Sequence, residues 1–287
     1  MTQTDGHFVD GRRAPTETQT QRQPPTQAPT PTKTEAGRRF DALAALFDPT
    51  TFRHIEKLGI GPGGRCWEVG AYGNSVVTWL VKKVGPTGRV LVTDTDISRV
   101  ASAARPPVEV RRHDVGAEPP PDESFDLVHA RHVLVHVPDH ARALQSMVKA
   151  LRPGGHLLVE DTDPALQPLL CPDEHGPAQE LANRLRQAFR ALLAERGADL
   201  SYGRRLPRLM REAGLRQVEA DVHFPLASPA CAELETATVQ EVRAHLVSAG
   251  RATDEEIDRH LMNVAAGEMD LATAPMISAW GRKARKA

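Results

Sequence analysis

The stretch Glu68-Val69-Gly70-Ala71-Tyr72-Gly73-Asn74 sets an acid ahead of two glycines, and further acids follow at Asp94 and Asp114. Glycine lets a backbone come close to a ligand. A carboxylate about 20 residues further on, at the end of a second strand, can accept both hydroxyl protons of a ribose. Asp94 stands 21 residues beyond Gly73. The chemistry implied is the holding of a nucleotide. The dinucleotide fingerprint G-x-G-x-x-G is not met, because Gly70 and Gly73 are three apart and Tyr72 fills the position of the second glycine.

A second group of reactive side chains follows. His129, His132, His136 and His140 fall within twelve residues. The spacing of His132, His136 and His140 would gather three imidazoles on one helical face as metal ligands, but Pro138 interrupts that helix and no carboxylate completes a zinc signature. Two other readings stay open. The histidines pack and face solvent, or His132, just past a strand, is a general base with an ordinary pKa near neutrality. Glu160, Asp161 and Asp163 either orient a substrate amine or hydroxyl or cap the segment that follows, and Tyr202 is a further candidate for a pocket wall. Cys66, Cys171 and Cys231 are scattered and form no C-x-x-C pair, which excludes a disulfide framework and a cysteine zinc site.

The elements that must position these residues are legible from periodicity. Over 287 residues, 36 basic side chains balance 37 acidic ones, which argues against a broad nucleic-acid or membrane surface. No run reaches the roughly 18 apolar residues of a membrane span, and no apolar core follows the N-terminal charges, so a cytoplasmic protein is expected. Residues 1–35 are rich in threonine, glutamine and proline and are expected to be a disordered tail. Residues 36–287 are expected to form one domain, with 36–163 as a cofactor-binding half and 164–287 as substrate cover and last strands. Leu43, Leu46 and Phe47, then Phe52, Ile55 and Leu58, predict two short helices broken at Asp48-Pro49. Five strands then alternate with helices: RCWEV, RVLVTD, VEVRRHD, FDLVHA and HLLVED. Gly-Pro or Pro-Gly turns precede the first, second and fifth. Long helices follow from Glu180 and over 234–264, and RQVEADVHFPL and APMISAWGRK supply two final strands. The fold class expected is α/β: a Rossmann-like, doubly wound, mostly parallel seven-stranded sheet with helical covers from both ends of the chain.

Taken in order, EVGAYGN, Asp94 after strand two, RRHDV, FDLVHAR and LRPGG resemble the class I S-adenosylmethionine-dependent methyltransferases, particularly their small-molecule branch. The resemblance is close over residues 37–163, and YGRRLPRLMREAGL and AWGRK extend it weakly. It implies S-adenosyl-L-methionine as cofactor and direct displacement of its methyl group by a small-molecule acceptor, with no metal. It implies that Glu68 sits near the methionine amino group and that Gly70 and Gly73 shape the loop beneath it. Asp94 would hold the ribose hydroxyls, with Asp96 as fallback. Asp114 would accept from the adenine amino group beside Val115, and Ala130 and Arg131 would end strand four beside the sulfonium.

Structural alternatives stand beside each role. Asp94 or Asp96 caps a helix, Asp114 closes a turn, and Glu68 pairs with Lys82 or Lys83. Such methyltransferases usually carry glycine where Tyr72 and Asn74 stand. Asparagine tolerates left-handed backbone; tyrosine there either keeps the loop right-handed or strains it by about 1–3 kcal/mol. A nicotinamide oxidoreductase lacks its fingerprint here, and a non-catalytic binding or regulatory protein on the same frame has Tyr72 as its only support. The cover is rich in Leu, Ala, Phe and Met, which suits an apolar acceptor. Oligomeric state and acceptor atom are left open.

Overall fold

The computed structural model describes residues 35–70, 73–121 and 124–285. The chain divides into two units, Met1–Thr32 and Lys33–Ala287, and the described residues belong to the second. The expected tail therefore lies almost wholly outside the described residues, as does Tyr72.

Seven strands form one sheet in the order β3-β2-β1-β4-β5-β7-β6. The first five are β1 (Arg65–Val69), β2 (Arg89–Asp94), β3 (Val108–Arg112), β4 (Phe125–Arg131) and β5 (Leu151–Thr162), and all pair in parallel. β6 (Arg216–His223) and β7 (Met276–Arg282) close the far edge as an antiparallel pair, with β7 also antiparallel to β5. The expected class, mostly parallel and seven-stranded, is the one observed. From β1 the sheet grows outward to β2 and β3 on one side and to β4 and β5 on the other. That reversal opens a crevice at the carboxyl ends of β1 and β4, where open α/β sheets bind ligands.

Two apolar layers hold helices to the faces. Val76, Val77, Leu80 and Val84 of α2 (Ser75–Val84) pack with Ile55, Val90 and Leu127 on one face. Leu144 and Met147 of α3 (His140–Ala150) join Leu206 and Met210 of α5 (Leu206–Glu212) on the other. The cover is built from α1 (Glu35–Lys57), α4 (Pro177–Glu195), α6 (Pro229–Ser248) and α7 (Asp254–Ala266), whose apolar faces meet around Phe47, Ala182, Cys231 and Val264. Burying a side chain of this kind contributes roughly 1.5–3 kcal/mol, and most of the chain's large apolar residues are committed in this way.

Three local expectations are corrected. The two short helices are one: α1 runs unbroken through Pro49. Proline there forfeits one helical hydrogen bond. Leu46 and Phe47 before it and Ile55 after it are buried, and that packing outweighs the loss. Pro153–Gly155 is not a turn ahead of the fifth strand but an irregularity inside β5, where the pairing skips from Phe125↔Leu151 to Leu127↔His156. Gly154 N donates to Lys283 O, and Lys283 N donates to Gly155 O, so the final residues of the chain pair with this segment. Asn74 needs no left-handed tolerance, for it precedes α2 with φ −85° in the right-handed region.

The irregularity makes one glycine indispensable. A Cβ on Gly155 would lie 2.7 Å from Phe125 O and 3.1 Å from Arg152 O, both backbone atoms that cannot swing away. Gly155→Ala is expected to cost about 1–3 kcal/mol in urea denaturation. Gly73→Ala, where a Cβ meets nothing within 4 Å, should stay within about 0.5 kcal/mol of the parent.

Candidate active site

At the carboxyl ends of the strands a line of buried ionisable groups crosses the sheet. The Glu68 carboxylate accepts from His129 Nδ1 at 2.6 Å, and His129 Nε2 donates to Glu160 Oε2 at 3.2 Å. Glu160 also accepts from Thr51 Oγ1 at 2.5 Å, Ser278 Oγ at 2.7 Å and His54 Nδ1 at 3.3 Å. His54 Nε2 continues to Asp221 Oδ2 at 2.9 Å. The strand register produces the line: Glu68 faces His129 across β1 and β4, and Ser278 faces Glu160 on one side and Asp221 on the other. Glu160, His129 and His54 are essentially inaccessible to solvent.

Burial alone would depress the His129 imidazole, but the Glu68 charge and hydrogen bonds to Glu160 and Glu68 outweigh it and lift its pKa from 6.5 to about 9. Burial would raise Glu160, yet hydrogen bonds from His129 and His54 hold it well below the usual carboxylate range. His54 is raised on balance: burial opposes its charge, and hydrogen bonds to Glu160 and Asp221 prevail. The groups thus alternate in sign from Glu68 to Asp221.

Glu68 also opens onto a cleft at the ends of β1 and β4. Glu68, Gly70 and Gly73 line it from the end of β1, and Arg131 and His132 from the end of β4. Helix α1 contributes Arg39, Phe40, Leu43 and Phe47, and α4 contributes Arg186, Phe189, Arg190 and Leu193. Gly70 holds φ +74°, and a Cβ on it would run into Val133 Cγ2. No other residue fits there. Arg131 is fixed by Thr51 Oγ1 at 3.0 Å and Asp48 Oδ1 at 2.8 Å.

His132 is the unusual residue of the cleft. Its φ of +57° is left-handed, a conformation that costs a non-glycine residue about 1–3 kcal/mol. Its backbone N donates to Glu160 O at 2.8 Å, and its Nε2 is shut off from water with no partner. Burial, helped by the Arg131 and Arg39 charges, pushes its pKa down to about 3, so the ring is neutral.

The remaining expected residues fall near the cleft but not on its wall. Asp94 ends β2, where Oδ1 takes Asp96 N at 3.0 Å and Oδ2 stays unpaired among the described residues. Asp114 does close a turn, with Oδ1 accepting from Gly116 N at 2.8 Å, and leaves Oδ2. Asp96 is committed as a cap on Ser98 N. Val115 and Ala130 are packed into the core. Lys83 pairs with Glu56, not with Glu68. Asp163 is held by Arg204 at 2.6 and 2.7 Å, and Tyr202 is buried against His140 at 4.5 Å between ring centres; neither reaches the cleft. His136 closes a short 3-10 turn and His140 begins α3, so with His132 they share no helical face. Among the described residues no three His, Cys, Asp or Glu side chains are grouped to hold a metal, and no helix is long and apolar enough to cross a membrane.

A methyltransferase-domain family model matches residues 38–220. The chain belongs to that family. The class I S-adenosylmethionine-dependent methyltransferases expected from the sequence are thus the family found. Methyltransferase str2 of Strobilurus tenacellus is 33% identical over 223 residues, 74% of this chain and 75% of that protein. Methyltransferase GfsG of Streptomyces halstedii is 26% identical over 196 residues, 63% of each chain. Against several other curated relatives the chain spans little more than a third of their length, 38% in the O-methyltransferase resE of Aspergillus sclerotiorum. Among solved structures, Haemonchus contortus phosphoethanolamine N-methyltransferase 2 in complex with S-adenosyl-L-methionine has the same fold: TM-score 0.54 and 15% identity, over 88% of this chain and 58% of that one.

Sequence reasoning missed two parts of this candidate site. The partners Thr51 and His54 sit on a helix that looked like an amphipathic lead-in. The cover is expected from the sequence, but Arg186 and Arg190 within it are not singled out, although with Phe189 and Leu193 they follow i, i+3, i+4, i+7 spacing, the signal of one helical face. The buried line generates a pH prediction. A histidine raised in the folded state stabilises fully below its unfolded pKa of 6.5 and loses that contribution as pH climbs through about 9. Stability to denaturant is therefore expected to fall between those values. His129→Gln should lose about 3–5 kcal/mol at pH 6 and show a shallower slope over the same interval.

Proposed function

We propose that the chain transfers the methyl group of S-adenosyl-L-methionine to a small-molecule acceptor by direct displacement. The observation that carries this is one cleft at the sheet's reversal point, receiving Glu68 and Gly70 from β1 and Arg131 and His132 from β4. The residues present fit the cofactor. His129 occupies Glu68 Oε2 and leaves Oε1 for an ammonium group. Gly70 keeps the strand end free of a side chain, and the free oxygens of Asp94 and Asp114 suit ribose hydroxyls and an adenine amine. When bound, the cofactor supplies an electrophilic methyl on a positively charged sulfur. The protein's part is to align an acceptor atom with that methyl at about 3–3.5 Å and to exclude water. Apolar residues of α1 and α4 do the latter. The relatives' names support a small-molecule acceptor: phosphoethanolamine is one in Zea mays.

His132 is the residue assigned to the acceptor's proton. Its left-handed backbone and unpartnered Nε2 support that role, while its ring also packs edge-on against Phe47 at 5.5 Å between centroids. A pKa near 3 makes it a weak base in the empty cleft, and negative charge placed beside Arg39 and Arg131 raises it.

Calorimetric titration with S-adenosylhomocysteine, with NAD as control, tests the cofactor reading. Micromolar binding of the former alone is expected, and Glu68→Ala should weaken it roughly 10- to 100-fold, the worth of one charged hydrogen bond. No binding by folded protein would sink the proposal. With an acceptor found by screening, His132→Asn, which tolerates the left-handed backbone, should lower kcat by about 10²-fold or more and leave S-adenosylhomocysteine affinity unchanged.

A further inference from the structure

The charges lining the cleft do not cancel. Glu68 is met by His129. Arg131 is met by Asp48, Arg186 by Glu235 at 3.1 Å, and Arg39 by Glu241 at 3.7 Å. Glu235 is shared, because its other oxygen accepts from His260 Nε2 at 3.0 Å. Arg190 is the exception. Its Nε is buried without a hydrogen-bond partner, and among the described residues no carboxylate lies within ion-pair distance of its guanidinium. Burial and the Arg186 charge, one turn away, both push its pKa down. Arg190 is half-buried, and a guanidinium nitrogen withheld from water beside a second arginine is stabilised when an anion completes it.

We propose that Arg190 is a specificity-determining residue that anchors a single carboxylate on the methyl acceptor. The class of acceptor is thereby narrowed to a monoanion on an apolar body. One unmatched positive charge calls for one negative charge, and a planar carboxylate fits the guanidinium fork in two parallel hydrogen bonds. Phe189 and Leu193, on the same face of α4, and Phe40, Leu43 and Phe47, across the cleft on α1, supply apolar walls. The Arg186–Glu235–His260 group ties α4 to α6 and α7 and fixes the face from which Arg190 projects. An anion in this cleft also offsets part of the positive field that depresses His132.

The inference rests on the methyl-transfer reading for the word acceptor, but its binding test does not. Full-length protein is titrated with phenylacetate and decanoate, each against its primary amide, with and without saturating S-adenosylhomocysteine. The carboxylates are expected to bind at least about 10-fold tighter than the amides, and phenyl phosphate no tighter than phenylacetate. Arg190→Gln should abolish the carboxylate preference and Arg190→Lys keep part of it, with S-adenosylhomocysteine affinity unchanged in both. Equal binding of acid and amide, binding of neither, or a preference that survives Arg190→Gln overturns the assignment. So does an Arg190→Gln variant that loses S-adenosylhomocysteine to the same extent, since Arg190 would then serve the cofactor's own carboxylate. If S-adenosylhomocysteine fails to bind while the Arg190-dependent preference remains, the cofactor reading falls and the anion site stands.

Discussion

Glu160 has no surface open to water, and an isolated carboxylate in that position costs several kcal/mol to desolvate. It is retained because His129, His54, Thr51 and Ser278 all point donors at its two oxygens. The same donors belong to β4, α1 and β7, and Glu160 itself to β5. His129 reaches on to Glu68 on β1, and His54 to Asp221 on β6. Five groups of alternating charge therefore bridge the sheet from its centre to its antiparallel edge and bring the first helix down upon it. Replacing any one member leaves its neighbours as uncompensated buried charges, which is why such networks act as a unit.

The position of the cleft follows from this arrangement. Thr51 donates to Glu160 and accepts from Arg131, whose guanidinium reaches back to Asp48 on the same helix. Helix α1 is thus clamped over the ends of β4 and β5, with Arg39, Phe40, Leu43 and Phe47 lying along the cavity. On the sheet side, His129 fixes one oxygen of Glu68 and leaves the other to face a ligand. The backbone of Glu160 also holds His132 in its left-handed conformation. One buried carboxylate organises Glu68, the left-handed His132 and the α1 wall of the cleft.

The opposite wall obeys a separate logic. Helices α4, α6 and α7 join through apolar contacts and through the buried Arg186–Glu235–His260 group. This cover is tied internally, so what it presents to the cleft is set before any ligand arrives.

By itself the sequence determined the alternation of strands and helices, the seven-stranded class, the family, and the acid–glycine stretch with Asp94 and Asp114 at strand ends. These are local matters: apolar period, Pro-Gly turns and the backbone freedom of Gly70 are written in neighbouring residues. Tertiary structure decided what depends on distance. Pro49 breaks a helix by propensity, yet packing on both sides carries α1 through it. Ala130 follows the motif in sequence but faces the core, since a strand turns alternate residues to opposite faces, and Val115, in the turn after β3, packs into the same core. His129 looked like one of four clustered histidines; it became a buried cation only when β1 and β5 brought Glu68 and Glu160 to its two nitrogens. Arg190 carried no signal of its own in the sequence. Only the folded cover shows that the carboxylates around it are already taken, because an ion pair is a fact about space and not about spacing.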